Sequence, residues 1–136
     1  MGKVSGPLLD RIDIHVSVPS LSFDELTDAR PSGPTSAEVR KEVQTARDRQ
    51  RTRYGARFHC NAHLDSKAIR QYCVMTPGAK KLLESALERM GLSARAYDKI
   101  LRVARTLADL DGLDMLGENH LGEAIQYRTM DVDNLV

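Results

Sequence analysis

The stretch Gly91-Leu92-Ser93-Ala94-Arg95-Ala96-Tyr97-Asp98-Lys99-Ile100-Leu101-Arg102-Val103-Ala104-Arg105-Thr106-Leu107-Ala108 decides the fold. Tyr97, Ile100, Leu101, Ala104, Leu107 and Ala108 recur at helical spacing and form one apolar stripe. Ser93 stands where a cap belongs and Gly112 where a helix stops, which predicts the longest helix of the chain. Just upstream, Thr76-Pro77 supplies an N-cap followed by proline at the first helical position. Ala79, Leu82, Leu83, Ala86, Leu87 and Met90 give that helix its apolar face, and Gly91 ends it. Downstream, a last helix of about Glu118 to Tyr127 follows Gly117.

The remaining segments extend the same pattern. Ser22 and Glu25 form a capping box for a short helix reaching about Asp28. After a Pro/Gly loop from Arg30 to Pro34, Thr35 and Glu38 form a second box. They open a helix with Val39, Val43 and Ala46 on one face, running to about Arg53 and stopped by Gly55. His59 to Leu64 reads as a loop, and Asp65 or Ser66 caps a short helix ending near Tyr72. Only Ile12, Ile14, Val16 and Val18 alternate with polar residues as a half-buried strand does, and Pro19 ends that run. A lone strand has no ladder partner. It must pair with another chain or belong to a sheet on residues outside this sequence. The expectation is an all-α helical bundle preceded by one orphan β-strand. Residues 1–20 would hold the strand, poorly ordered or irregularly docked in isolation, with 21–129 the helices and 130–136 a frayed acidic tail.

Composition agrees. The 136 residues allow one domain, and 41% hydrophobic with 29% charged residues argue against a wholly disordered chain. With 4% aromatics and no Trp, the core must be aliphatic, which suits helix packed on helix. No apolar run approaches the roughly 20 residues that span a bilayer. Met1-Gly2-Lys3-Val4 lacks the apolar region of a secretion signal, so a cytoplasmic location is expected. Two cysteines, Cys60 and Cys73, make no disulfide framework.

A net charge of +1 argues against a dedicated polyanion binder, but its distribution is uneven. Seven bases face three acids between Glu38 and Phe58, whereas seven acids face Arg128 alone between Asp109 and Asp133. That polarity fits solvated helix faces, head-to-tail assembly, or DNA contact through Arg47, Arg49, Arg51 and Arg53.

Among residues that carry chemistry, Arg95 is the most informative. A cation in the first turn of a helix opposes the macrodipole at a cost of about 0.3–1 kcal/mol. It becomes favourable when an anion shares the helix mouth, where free N–H groups and a guanidinium converge on one phosphate. Lys99 and Arg102 extend that positive stripe. Arg11 lies between Asp10 and Asp13, so a local ion pair competes with presentation to a neighbour's phosphate. His59, Cys60, His63 and Cys73 invite a zinc reading, yet their spacing matches no strong pattern and no metal site is expected. There is no phosphate loop of the form G-x-x-x-x-G-K-[ST], so no reaction is assigned to this chain alone. An alternative takes the two helices around Gly91 as a stand-alone helix-turn-helix, with Ser93, Arg95, Asp98 and Lys99 facing DNA bases.

Three motifs carry a resemblance: Ser5-Gly6-Pro7-Leu8-Leu9-Asp10-Arg11-Ile12-Asp13-Ile14, the stretch from Gly91 to Thr106, and Glu123-Ala124-Ile125-Gln126-Tyr127-Arg128. Together the chain resembles the C-terminal part of the magnesium-chelatase-like AAA+ ATPases of the ComM or YifB type. The resemblance implies that the strand is the last of an AAA+ core and that the helices are its lid. It makes Arg11 an arginine finger acting in trans on the neighbouring subunit's ATP. Arg95 becomes the second-sensor arginine, contacting the γ-phosphate held by its own subunit. It further implies ATP and Mg2+ in the full-length protein with none bound to this chain. The partners implied are its own AAA+ core, neighbouring subunits of a hexameric ring and DNA, as in branch-migration helicases, with no membrane. The phosphate loop, the acidic magnesium-binding motif and the first sensor would lie before residue 1.

Overall fold

In the computed structural model, which describes residues 6–9 and 11–129, five of the helices begin where a side chain accepts from a free N–H group. Helix α1 (Gly6–Leu9) is a single turn. Ser22 and Glu25 cap α2 (Phe23–Thr27) reciprocally, and Thr35 and Glu38 do the same for α3 (Ser36–Tyr54). A 3₁₀ turn at Asn61–His63 precedes α4 (Ser66–Tyr72). Asp65 is the α4 cap, accepting from the Ala68 N–H at 2.7 Å. Thr76 caps α5 (Pro77–Met90), which ends at Gly91 in the left-handed conformation, φ 59° and ψ 37°. Ser93 caps α6 (Ala94–Leu110), and α7 (Glu118–Thr129) closes the described chain.

Helix α6 is the axis of the molecule. Its buried Ile100, Leu101 and Ala104 share one core with Leu121, Ala124 and Ile125 of α7, Ala68 and Ile69 of α4, and Ala79, Leu83 and Ala86 of α5, which packs mainly on α7. The many alanines let backbones approach closely, which is how a core with few aromatics reaches density. Tyr54 binds the far side, edge-on to Phe58 and Tyr72.

The first segment is irregular and docked, as a strand without its sheet is expected to be: among the described residues there is no strand, and Ile12, Ile14, Val16 and Val18 are 41–84% exposed on irregular chain. The alternation is present, but without a ladder partner extended pairing gives no stability. The segment docks through the His15 N–H, which donates to the Tyr127 carbonyl at 2.9 Å. Two expectations need correction. Val39 and Val43 are exposed although Ala46, on the same face, is buried. Residues 36–45 are all exposed, so α3 joins the bundle only from Ala46 onward. Finally, the longest helix is α3 at 19 residues, ahead of α6 at 17. The expected tail, residues 130–136, lies outside the described residues, as does Asp10.

Candidate functional site

The N-terminal end of α6 borders an open cleft of about 490 Å³ lined by Arg11, Ala94, Arg95, Asp98, Lys99 and Arg102. Four of its six lining residues are cationic, at the positive end of a helix macrodipole. Two of the cations are held in place. Arg102 donates from Nε and Nη2 to the Leu64 carbonyl at 3.0 and 2.7 Å. The Lys99 ammonium, its side chain 11% exposed, meets the Asp13 carboxylate at 3.2 Å. Asp98 accepts from the Ser66 hydroxyl at 2.7 Å. Arg95 and Arg11 are exposed on the same cleft. Chemically, such a donor set can hold an anion.

These contacts bear on two other expectations. Asp13 spends its carboxylate on Lys99, and Asp10 lies outside the described residues. Of the four side chains a helix-turn-helix would turn to bases, Ser93 caps its own helix, Asp98 binds Ser66 and Lys99 binds Asp13.

The basic stretch of α3 meets the acidic C-terminal third at two places: Arg49 pairs with Asp114 at 2.9 Å, and Arg53 closes a bidentate pair with Asp109. Arg51 pairs within α3, with Asp48 at 3.1 Å. Arg47 is exposed. The charge polarity is thus partly satisfied within the fold, and three of the four proposed DNA contacts have acidic partners.

Sequence reasoning missed the network around Asp109. Besides Arg53, this carboxylate accepts from Asn61 Nδ2 at 3.0 Å and pairs with Arg105 at 3.2 Å. Asn61 also donates to Thr106 Oγ1 and accepts from the Tyr54 hydroxyl, while Gln50 Oε1 takes its backbone N–H. Arg105 donates to the carbonyls of Asp114 and Leu113, clamping the chain that follows α6. For Arg53, burial is the largest single influence and opposes the charge, but the hydrogen bonds and charges of Asp109 and Tyr54 together outweigh it and raise the pKa. For Arg105, burial dominates over Asp109 and the shift is downward. The available signal was position: Arg105 falls on the apolar stripe between Leu101 and Ala108.

Cys73 is a core residue whose thiol donates to the Leu101 carbonyl at 3.8 Å, and burial pushes its pKa up to about 11. Cys60 approaches His63 Nδ1 at 3.9 Å. Among the described residues no three His, Cys, Asp or Glu side chains gather to hold a metal ion. Nor is any described helix long and apolar enough to cross a membrane. His120 accepts the Gly117 N–H at Nδ1, 2.9 Å, and meets Asp111 through Nε2 at 2.8 Å, a second arrangement the sequence did not announce.

Residues 33–128 match the family described as magnesium chelatase, subunit ChlI C-terminal. The chain is 42% identical over 130 residues to the competence protein ComM of Haemophilus influenzae, covering 96% of this chain and 25% of that protein. It is 40% identical over 131 residues to YifB of Escherichia coli, with the same shares of each chain. To YifB of Salmonella typhimurium it is 37% identical over 131 residues. The chain therefore spans about a quarter of the length of these curated relatives.

Proposed function

The chain belongs to the magnesium chelatase, subunit ChlI C-terminal family, and from that premise we propose that residues 21–129 act as the helical lid of an AAA+ ATPase. Residues 1–20 complete the core that carries the phosphate loop. The observation that carries this reading is the cleft at the mouth of α6, where exposed Arg95 and Arg11 stand beside Lys99 and Arg102. The donor set fits a phosphoryl group: planar guanidinium forks, a helix N-terminus and few competing carboxylates. ATP with Mg2+, held mainly by the core, supplies the phosphoryl group whose terminal charge the lid reads.

Arg95 contacts that terminal charge and is absent from contact when only a diphosphate is held. The lid's position over the core then follows the state of the nucleotide. Arg11 faces the neighbouring subunit's nucleotide. Because Arg11 and Arg95 line one cleft, this assignment requires the subunit boundary of a cytoplasmic, hexameric ring to run along the cleft mouth. A DNA-helicase role for the assembled motor gains little support from α3, where Arg49, Arg51 and Arg53 are already paired.

The test joins this chain to its phosphate-loop core. Arg95→Ala should lower ATP turnover at least about tenfold, the order expected when a preorganised charge is removed. Arg11→Ala should also lower it, and mixing Arg11→Ala with Arg95→Ala subunits should restore part of the activity. Unchanged turnover in Arg95→Ala ends the lid reading, and failure of the mixture ends the trans assignment.

A further inference from the structure

Residues 11–15 cross the cleft end of the bundle on three anchors. The Asp13 carboxylate meets Lys99 Nζ of α6 at 3.2 Å. The His15 N–H donates to the Tyr127 carbonyl at 2.9 Å, and Arg128 Nη1 donates to the Ile12 carbonyl at 3.3 Å, both on the last turn of α7. The segment therefore works as a strap between the first half of α6 and the end of α7.

We propose that the Lys99–Asp13 pair is a positioning device that sets Arg11 beside Arg95. The proposal rests on reading the cleft as a phosphate site. Lys99 follows Arg95 by four residues, one turn along α6, a rise of about 6 Å. Asp13 follows Arg11 by two residues, which span at most about 7 Å of extended chain. Pinning Asp13 on Lys99 therefore tethers the Arg11 backbone two residues from a fixed point on the α6 face that carries Arg95. From there a long guanidinium side chain enters the cleft, and Arg11 is among its lining residues.

Burial explains why the pin holds. The Lys99 side chain is 11% exposed and its partner 56%, so the ammonium is the costly member and needs a carboxylate against it. Arg95 and Arg102, four residues before and three after, repel it along the same face. Asp98, the carboxylate within the cleft lining, is engaged by Ser66. Asp13 thus lowers the repulsion among the cleft cations and, in the same contact, fixes the chain that carries Arg11.

The experiment uses this chain and reads amide hydrogen exchange at His15, whose bond to Tyr127 does not involve Lys99. Lys99→Met keeps the packed stem, removes the charge, and should lower His15 protection about fivefold, the scale of a partly exposed ion pair. Asp13→Asn should do the same, and Lys99→Arg should retain protection. Unchanged protection in Lys99→Met and Asp13→Asn overturns the proposal, as does loss of protection in Lys99→Arg while the core amides of α6 stay protected. A second readout joins this chain to its phosphate-loop core and measures ATP turnover. Arg11→Ala should lower turnover in the parent background and have little further effect in Lys99→Met. An equal Arg11→Ala effect in both backgrounds also overturns the positioning role. If Arg95→Ala leaves turnover unchanged, the phosphate reading fails while the strap result stands by itself.

Discussion

The two ends of α6 carry the same kind of residue and treat it in opposite ways. At the C-terminal end Arg105 is 1% exposed and surrounded by Asp109 and the carbonyls of Leu113 and Asp114. At the N-terminal end Arg95 is exposed beside an open cleft and caps nothing. A guanidinium taken into the core needs hydrogen-bond partners, which Arg105 finds through Nη1 and Nη2 though not through Nε, and it then belongs to the fold. One left at a helix mouth, against the macrodipole, contributes little to the fold and is available to an anion from outside. The contrast separates scaffold from site on a single helix.

The sharpest way to break the contrast is at the buried end. Asp109→Ala leaves two largely buried guanidinium groups without their carboxylate, and should destabilise the chain by about 3–5 kcal/mol in urea unfolding. A loss under about 1 kcal/mol would mean that the buried network is not the keystone described. Next in size is the Cys73 thiol, which lies in the same core. Its folded pKa of about 11 stands above the ordinary value of 9.0, so the folded state holds the proton more tightly. That stability is present in full below pH 9 and is lost as pH rises from 9 to 11, a fall of about 2–3 kcal/mol. Cys73→Ala should flatten this part of the profile relative to the parent chain; an identical slope would contradict it. At the exposed end, Arg95→Ala should shift unfolding by no more than about 0.5 kcal/mol. A larger loss would place Arg95 in the scaffold with Arg105.

Much of the scaffold was legible because its signals are local. The Ser22–Glu25 and Thr35–Glu38 boxes, Thr76-Pro77 and Ser93 start their helices within a residue or two of the positions read from sequence, since each cap acts over three residues. Position in the first turn of α6 marks Arg95 as a candidate, and the structure leaves it exposed on the cleft. What failed was nonlocal. The period that put Val39 and Val43 on one face with Ala46 is present, but only the neighbours of α3 decide where burial begins. Arg53 reads as a surface base because its partner Asp109 lies 56 residues away. The alternation of Ile12 to Val18 reads as a strand with no ladder partner in the chain, and the structure leaves it irregular, but its docking on Tyr127 was not legible. Of the cleft itself, the stripe Arg95, Lys99 and Arg102 was visible; its closure by Asp13, Ser66 and the Leu64 carbonyl was not.

The central claim, that Arg95 is held in reserve for a terminal phosphate, is tested most directly by nucleotide discrimination. With this chain joined to its phosphate-loop core, the affinities for a non-hydrolysable ATP analogue and for ADP are measured before and after Arg95→Ala. The account predicts that the parent protein prefers the triphosphate and that the substitution abolishes this preference while leaving ADP affinity in place. A preference for the triphosphate that survives Arg95→Ala undiminished would contradict it.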